Sequence, residues 1–319
     1  MDKAQEKIAV ARLSVYSNTS LVILKVVVGM LMGSVAVLSE AIHSGIDLVA
    51  ALIARYSVKR SAEPADRDHR YGHGKYENLS GMIEGALIFV AAAWIIYEAI
   101  KKFYKPAGID IIYIGIVVMG VSAVLNFVVS RKLADVAKRT DSLALEADAY
   151  HLKTDVWTSA GVFVALVLIQ FTGIMWLDPA VAMIVAAFII HAAYDITTRS
   201  AEGLLDRSLP DAEIKLIERI LKERKGIILN FHRLRARKMG SERQIDLHII
   251  VPHDVSVKDG HDFVDEVEIQ IKKDLPGSVI VIHIEPCDED CSRCRMVKGE
   301  KGMGLGTMAG AVSDCHPKV

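Results

Sequence analysis

Two histidine–aspartate pairs lie in stretches of chain that are otherwise apolar. Glu-Ala-Ile-His-Ser-Gly-Ile-Asp places His43 and Asp47 four residues apart, and Ala-Tyr-His-Leu-Lys-Thr-Asp does the same for His151 and Asp155. Residues at i and i+4 share one face of a helix. An aspartate at the centre of a membrane helix costs about 2.5–3.5 kcal/mol on insertion scales, so it needs a partner or a purpose. Two such faces together supply four nitrogen and oxygen donors, a set that suits tetrahedral Zn2+. Either pair alone could be a hydrogen bond between helices or a lumen-facing pair with no ligand role; two near mid-span favour ligation. A third pair with the same spacing, His191 and Asp195, stands near the end of an apolar stretch, where a capping or interfacial role costs little. Lys25, Glu40 and Glu84 are further charges within apolar stretches, suited to pore lining or mutual pairing.

A loop with the sequence Ala-Asp-Arg-Asp-His-Arg-Tyr-Gly-His-Gly-Lys-Tyr-Glu-Asn carries Asp66, His69 and His73 at spacings of three and four. Gly72 and Gly74 let its backbone bend, and three ligands plus water would form an open metal site. A solvated, charged loop is the alternative. Further along, His232, His248, His261 and His283 are joined by Glu285, which lies two residues from His283 and so projects from the same strand face. Scattered surface histidines would explain any one of these residues; the group on adjoining elements favours metal binding.

These residues need elements to hold them. A bilayer core of about 30 Å takes about 20 mostly apolar residues per helix. Six stretches fit, at 13–33, 35–58, 79–100, 109–130, 143–172 and 176–197. Basic residues cluster before the first span (Lys3, Lys7, Arg12), between the second and third (Lys59, Arg60, Arg67, Arg70, Lys75) and between the fourth and fifth (Arg131, Lys132, Lys138, Arg139). The opposite loops hold Lys101, Lys102 and Lys105, so the positive-inside rule predicts that both termini are cytoplasmic. Beyond Arg199 the periodicity predicts a helix at 211–224, strands at 228–238 and 243–251, a helix at 257–274 and a strand at 278–285, an αββαβ order expected to form a small α+β domain. The expected divisions are 1–208, 209–287 and a glycine- and cysteine-containing tail, 288–319, expected to be flexible. Hydrophobic residues make up 52% of the 319, and the net charge of −1 provides no electrostatic basis for binding nucleic acid. All four cysteines, Cys287, Cys291, Cys294 and Cys315, come late, which argues against a disulfide framework and leaves a soft-metal site or a reactive tail as readings.

From about residue 8 to 287 the sequence resembles the cation diffusion facilitators of the bacterial zinc/ferrous-iron efflux type. The resemblance is carried by both intramembrane His/Asp faces, the Asp-x-x-His-x-Tyr-Gly-His-Gly-Lys loop and the histidine-bearing terminal domain. It implies a Y-shaped homodimer in the prokaryotic inner membrane, six helices per protomer and a metallochaperone-like cytoplasmic domain. It implies a transport site at His43, Asp47, His151 and Asp155, a second at Asp66, His69 and His73, and a binuclear site at His232, His248, His261, His283 and Glu285. An interlock between Lys75 and Asp206 is also implied. Two positions depart from the pattern: some relatives carry Asp where this chain has His43, which favours zinc, and the binuclear site normally ends in Asp rather than Glu285.

The expected activity is export of a divalent metal in exchange for protons, because histidine must be neutral and carboxylate ionised to bind a metal. Zn2+ leads, with Fe2+, Mn2+, Co2+, Ni2+ and Cd2+ open. A metal sensor that binds without transporting is one rival. An intramembrane metalloenzyme is the other, and the absence of a His-Glu-x-x-His motif speaks against it.

Overall fold

A computed structural model of the chain describes residues 3–32, 35–104, 113–172, 174, 176–223 and 228–287. Cys291, Cys294, Cys315 and the predicted tail lie outside these residues, as does the Glu40 side chain. The chain forms two compact units, Met1–Leu205 and Asp206–Val319.

Among the described residues the first unit holds six long helices: α1 (Lys3–Met32), α2 (Val35–Ser61), α3 (Lys75–Tyr104), α4 (Tyr113–Thr140), α5 (Leu143–Thr172) and α6 (Leu177–Leu204). Several outrun the apolar stretches read from sequence: α3 starts at Lys75 rather than 79, and α4 runs to Thr140 rather than 130. Hydropathy marks only the part of a helix that sits in hydrocarbon, whereas polar end turns stay helical in water. The last turns of α2 and α4 carry Lys59, Arg60, Lys138 and Arg139, where cations favour a helix C-terminus. Among the described residues, stretches in α1, α2, α3 and α6 are long and apolar enough to cross a membrane: Lys3–Leu31, Ala41–Ser61, Lys75–Lys101 and Pro179–Leu204. Large apolar side chains such as Ile23, Met30, Val90, Val124 and Phe188 point outward, as a lipid-facing surface requires. Exposed Tyr104, Phe171 and Trp176 stand at the end of α3, the end of α5 and the start of α6, helix-end positions that aromatic residues favour at membrane interfaces.

Helix α3 packs closely on α6 along small residues. A Cβ on Gly81, Gly85 or Gly203 would collide with Ser200, Thr197 or Asn78, so glycine is what permits this approach. At the loop end, α4 stops with Asp141 in the left-handed region (φ 56). The Ser142 amide then returns to the Ala137 carbonyl at 3.1 Å, closing the α4 C-terminus. That turn delivers the Ser142 hydroxyl to Glu77 Oε2 at 2.5 Å. Lys7 Nζ and Ser61 Oγ reach Glu77 Oε1 at 2.7 and 2.9 Å. One fully buried carboxylate thus joins α1, α2, α3 and the α4–α5 turn.

The second unit has the order α7 (Asp211–Glu223), β1 (Asn230–Met239), β2 (Glu242–Val251), α8 (Val257–Asp274) and β3 (Ser278–Pro286). Strand β1 pairs antiparallel with β2 through a two-residue turn led by Gly240 (φ 62), and β2 pairs parallel with β3 across the α8 crossover. Ser256 caps α8, its hydroxyl accepting from the Asp259 amide. Alternation decides the faces. Ile245, Leu247, Ile249 and Ile280 pack with Ile217, Leu221, Phe263, Val267 and Ile271 in the core, while Val279 and Val281 stand exposed on the opposite face with His248 and His283 in register. Cys287 follows β3, buried and disulfide-bonded, where the sequence left a soft-metal site or a reactive tail as the readings.

Candidate metal centres

Helices α2 and α5 bring the two predicted pairs together, but crosswise. His151 Nε2 lies 3.1 Å from Asp47 Oδ1, and His43 Nε2 lies 3.9 Å from Asp155 Oδ1, so each histidine faces the aspartate of the other helix. Donor atoms of His43, Asp47 and Asp155 all fall within 4.8 Å of one another. Asp47 and His151 are buried, whereas the His43 side chain is 46% exposed and leaves one flank of the group open. An imidazole nitrogen and a carboxylate oxygen are both acceptors unless one carries hydrogen, so a proton lies between His151 and Asp47. A metal taking those two lone pairs displaces that hydrogen, either to His151 Nδ1 or away from the pair.

Sequence reading singled out Lys25 and Glu84 near this group but missed Asn126, Ser44 and Asp148. Asn126, on α4, donates from Nδ2 to Asp155 Oδ2 at 3.3 Å. Lys25 Nζ donates to Ser44 Oγ at 2.8 Å, beside His43. Asp148 is buried one turn before His151, and neither of its carboxylate oxygens has a hydrogen-bond partner; Ser14 approaches without closing a bond. Glu84 is buried on α3, with Ser80 Oγ donating to its Oε1 at 2.9 Å. The available signal was polarity inside an apolar span, which marks buried or functional positions. Asp195 engages Arg199 at 3.2 Å, and Arg199 also holds Glu146 at 2.7 Å, an ion-pair role in keeping with leaving His191 and Asp195 outside the ligand set.

In the loop, Gly72 takes φ 86 and its amide turns back to the His69 carbonyl at 2.9 Å. This folds the Asp66, His69 and His73 donor atoms to within 4.8 Å of one another. His73 Nδ1 sits 3.4 Å from the Glu63 carbonyl, which orients the ring and turns Nε2 toward Asp66 Oδ2 at 3.2 Å. The amides of His69 and Asp68 donate to Asp66 Oδ1 at 2.6 and 2.9 Å. The His69 amide, above all, holds the Asp66 carboxyl below its ordinary range against a smaller opposing effect of burial. The carboxylate is thus ionised and ready to bind at neutral pH.

On the open sheet face, His232, His248 and His283 are paired in register across β1, β2 and β3. Glu285 spans two of them: Oε1 meets His248 Nδ1 at 2.7 Å and Oε2 meets His232 Nε2 at 2.9 Å. The His283 ring lies 4.8 Å from the His248 ring, and its Nε2 is 3.9 Å from Glu285 Oε1. A register shift between His232 and Arg235, with Arg233 at φ 52, bends β1 at this point, as a bulge does when it re-aims a neighbouring side chain. His261 does not join this group within the protomer: it stands on α8, whose apolar face packs on the other side of the sheet, 70% exposed and 3.7 Å from Asp265. The His248 hydrogen bond, chiefly, lowers the Glu285 pKa, with burial opposing and His232 adding to the effect.

That cluster predicts a pH signature. Protons and zinc compete for the same imidazole lone pairs, so zinc stabilisation of the second unit should weaken on acidification, by up to about tenfold in affinity per protonated imidazole per pH unit. Glu285, with its folded pKa depressed, contributes above its unfolded value of about 4.3 and loses that contribution only at lower pH. Zinc-dependent thermal unfolding of residues 209–287 at pH 7.5 and 5.5 checks this, and an unchanged shift at pH 5.5 removes histidine from the site.

At the loop end, Lys75 Nζ donates to the Leu204 carbonyl at 3.2 Å. Asp206 accepts from Arg237 at 2.8 Å.

The chain is similar to known proteins. The sequence profile of the Cation efflux transmembrane domain matches residues 11–205, and that of the Cation efflux protein, cytoplasmic domain, matches 209–287. An uncharacterised transporter of Synechocystis sp. is 37% identical over 257 residues, covering 81% of this chain and 83% of the relative. The cation-efflux pump FieF of Shewanella oneidensis is 30% identical over 276 residues, covering 86% and 93%. A solved structure on the mode of action of CzrB, in its Zn form, is 34% identical, covering 25% of this chain and 92% of that one with a TM-score of 0.25. With both profiles matched in chain order, this α-helical membrane protein with a cytoplasmic α+β domain belongs to the cation efflux family, the cation diffusion facilitators, whose members are transporters rather than enzymes.

Proposed function

We propose that the protein exports Zn2+ by metal/proton antiport, with His43, Asp47, His151 and Asp155 as the transported ion's ligands. The observation that carries this reading is the crosswise pairing of two histidines with two aspartates between α2 and α5. Two nitrogens and two oxygens suit tetrahedral zinc, and the two carboxylates offset its double charge in a low-dielectric bundle. The proton held between His151 and Asp47 gives the exchange its chemistry: metal entry drives it off, and reprotonation on the far side releases the metal. Alternate opening of the site to the two sides then couples the two flows.

In this reading the transmembrane domain covers 1–208 and the cytoplasmic domain 209–287, with both termini cytoplasmic in a bacterial inner membrane. The open sheet face, with exposed Val279 and Val281, is the surface through which two protomers dimerise. Asp66, His69 and His73 form a second zinc site, and His232, His248, His283 and Glu285 the core of a binuclear one. His261 completes that site only if α8 moves or the partner subunit contributes.

The test uses full-length protein in proteoliposomes, with zinc uptake followed by an internal indicator and lumenal pH by a trapped dye. Zinc entry with opposing proton exit is the expected result, steeper with an outward proton gradient. Zinc flux indifferent to the gradient leaves a uniporter, and tight binding without flux leaves a sensor.

A further inference from the structure

We infer that Asn126 sets the ion selectivity of the transmembrane centre by leaving Asp155 only one oxygen free for the metal. This rests on the transport reading above and goes beyond it, because Asn126 comes from a fourth helix position outside both His/Asp pairs. Asp155 presents its two oxygens to different partners. Oδ1 faces His43 Nε2 at 3.9 Å, within the donor group, while Oδ2 accepts from Asn126 Nδ2 at 3.3 Å. An ionised carboxylate only accepts, so the amide must turn its NH2 toward it. At 3.3 Å the bond is slightly longer than the usual N–H···O distance, a weak contact that orients the carboxylate without neutralising it.

A second observation separates this contact from ordinary helix packing. Asn126 is 93% buried, being 7% exposed, yet its carbonyl oxygen Oδ1 has no hydrogen-bond partner. An amide placed to join helices satisfies both its ends, because a buried acceptor left unpaired is unfavourable. Asn126 is satisfied on the Asp155 side alone.

The consequence is a coordination number. A carboxylate with both oxygens free can chelate a cation through two atoms, whereas one with an oxygen tied to an amide offers one. With His43, Asp47 and His151, a one-oxygen Asp155 gives four donors, the tetrahedral number zinc takes. A two-oxygen Asp155 gives five and an oxygen-richer site, which moves preference toward Mn2+, an ion that favours six oxygen-rich ligands. Hydrogen bonds to ligating carboxylates belong to the outer shell, whose loss typically costs about 10–100-fold in affinity or activity.

The experiment compares initial rates of Zn2+ and Mn2+ transport by full-length protein in proteoliposomes for the wild type, Asn126→Leu, Asn126→Gln and Asp155→Ala. Asn126→Leu keeps the branched shape, at a larger volume, and removes the donor. It should lower kcat/KM for zinc by about 10–100-fold while sparing manganese, so that the zinc/manganese ratio falls at least about tenfold. Asn126→Gln keeps an amide donor and should recover most of the ratio. If Asn126→Leu does not purify folded, Asn126→Ala removes the same donor with less bulk and is read by the same ratio. An equal loss for both ions, or an unchanged ratio, overturns the selectivity role while leaving transport intact, provided the wild type carries zinc and Asp155→Ala does not. A wild type that carries neither ion overturns the transport reading and this inference with it.

Discussion

Asp155→Ala and Asp47→Ala should each abolish zinc flux in proteoliposomes while leaving a protein that still purifies folded. Each change removes one of the two carboxylates in the donor group and leaves a dipositive ion undercompensated inside the bundle, where screening is weaker than in bulk water. Each also breaks one of the two cross-helix pairs, His43 with Asp155 or His151 with Asp47. Asp47→Ala in addition removes the carboxylate that shares a hydrogen with His151. Asp195→Ala is the contrasting control. Its carboxylate belongs to the Arg199 ion pair rather than to the donor group, so flux should survive. Zinc transport by Asp155→Ala at the wild-type rate would remove the site from the account.

The largest expected effect on stability lies elsewhere, at Glu77. Glu77→Leu should destabilise the transmembrane unit by about 3–5 kcal/mol, because it leaves the buried Lys7 ammonium without its carboxylate. It also takes the acceptor from Ser61 and Ser142, loosening α2 and the α4–α5 turn where they meet α3. The double variant Lys7→Met/Glu77→Leu should recover much of the loss, since an apolar pair of similar volume commonly replaces a buried ion pair at little cost. Thermal unfolding of the detergent-solubilised protein measures both. A single variant as stable as the wild type, or a double variant worse than the sum of its parts, would show that the carboxylate does not hold these helices together.

Much of this arrangement was legible before any coordinates. Long apolar stretches identify membrane helices because the bilayer sets their length. The alternation Ile245, Leu247, Ile249, Val251 marks β2, because only a half-buried strand has that period. The ligand types and their i, i+4 spacing depend on local geometry alone, as does the bend allowed by Gly72. Helix ends were less legible, since charged turns beyond the hydrocarbon remain helical without leaving a hydropathy signal. Hence α4 runs on to Thr140.

Partnership was decided only in three dimensions. Spacing puts His43 with Asp47 and His151 with Asp155 on shared faces, but the pairs that form join α2 to α5, because side chains on facing helices come closer than ligands stacked along one helix. No local pattern links Asn126 to Asp155, 29 residues away, or Glu77 to Lys7, 70 residues away. Nor does sequence reveal that Glu285, longer by one methylene than the expected aspartate, bridges His232 and His248 while His261 stays apart on α8. Which residues could bind a metal follows from their chemistry and periodicity. Which of them meet depends on how helices and strands pack, and only the folded chain determines that.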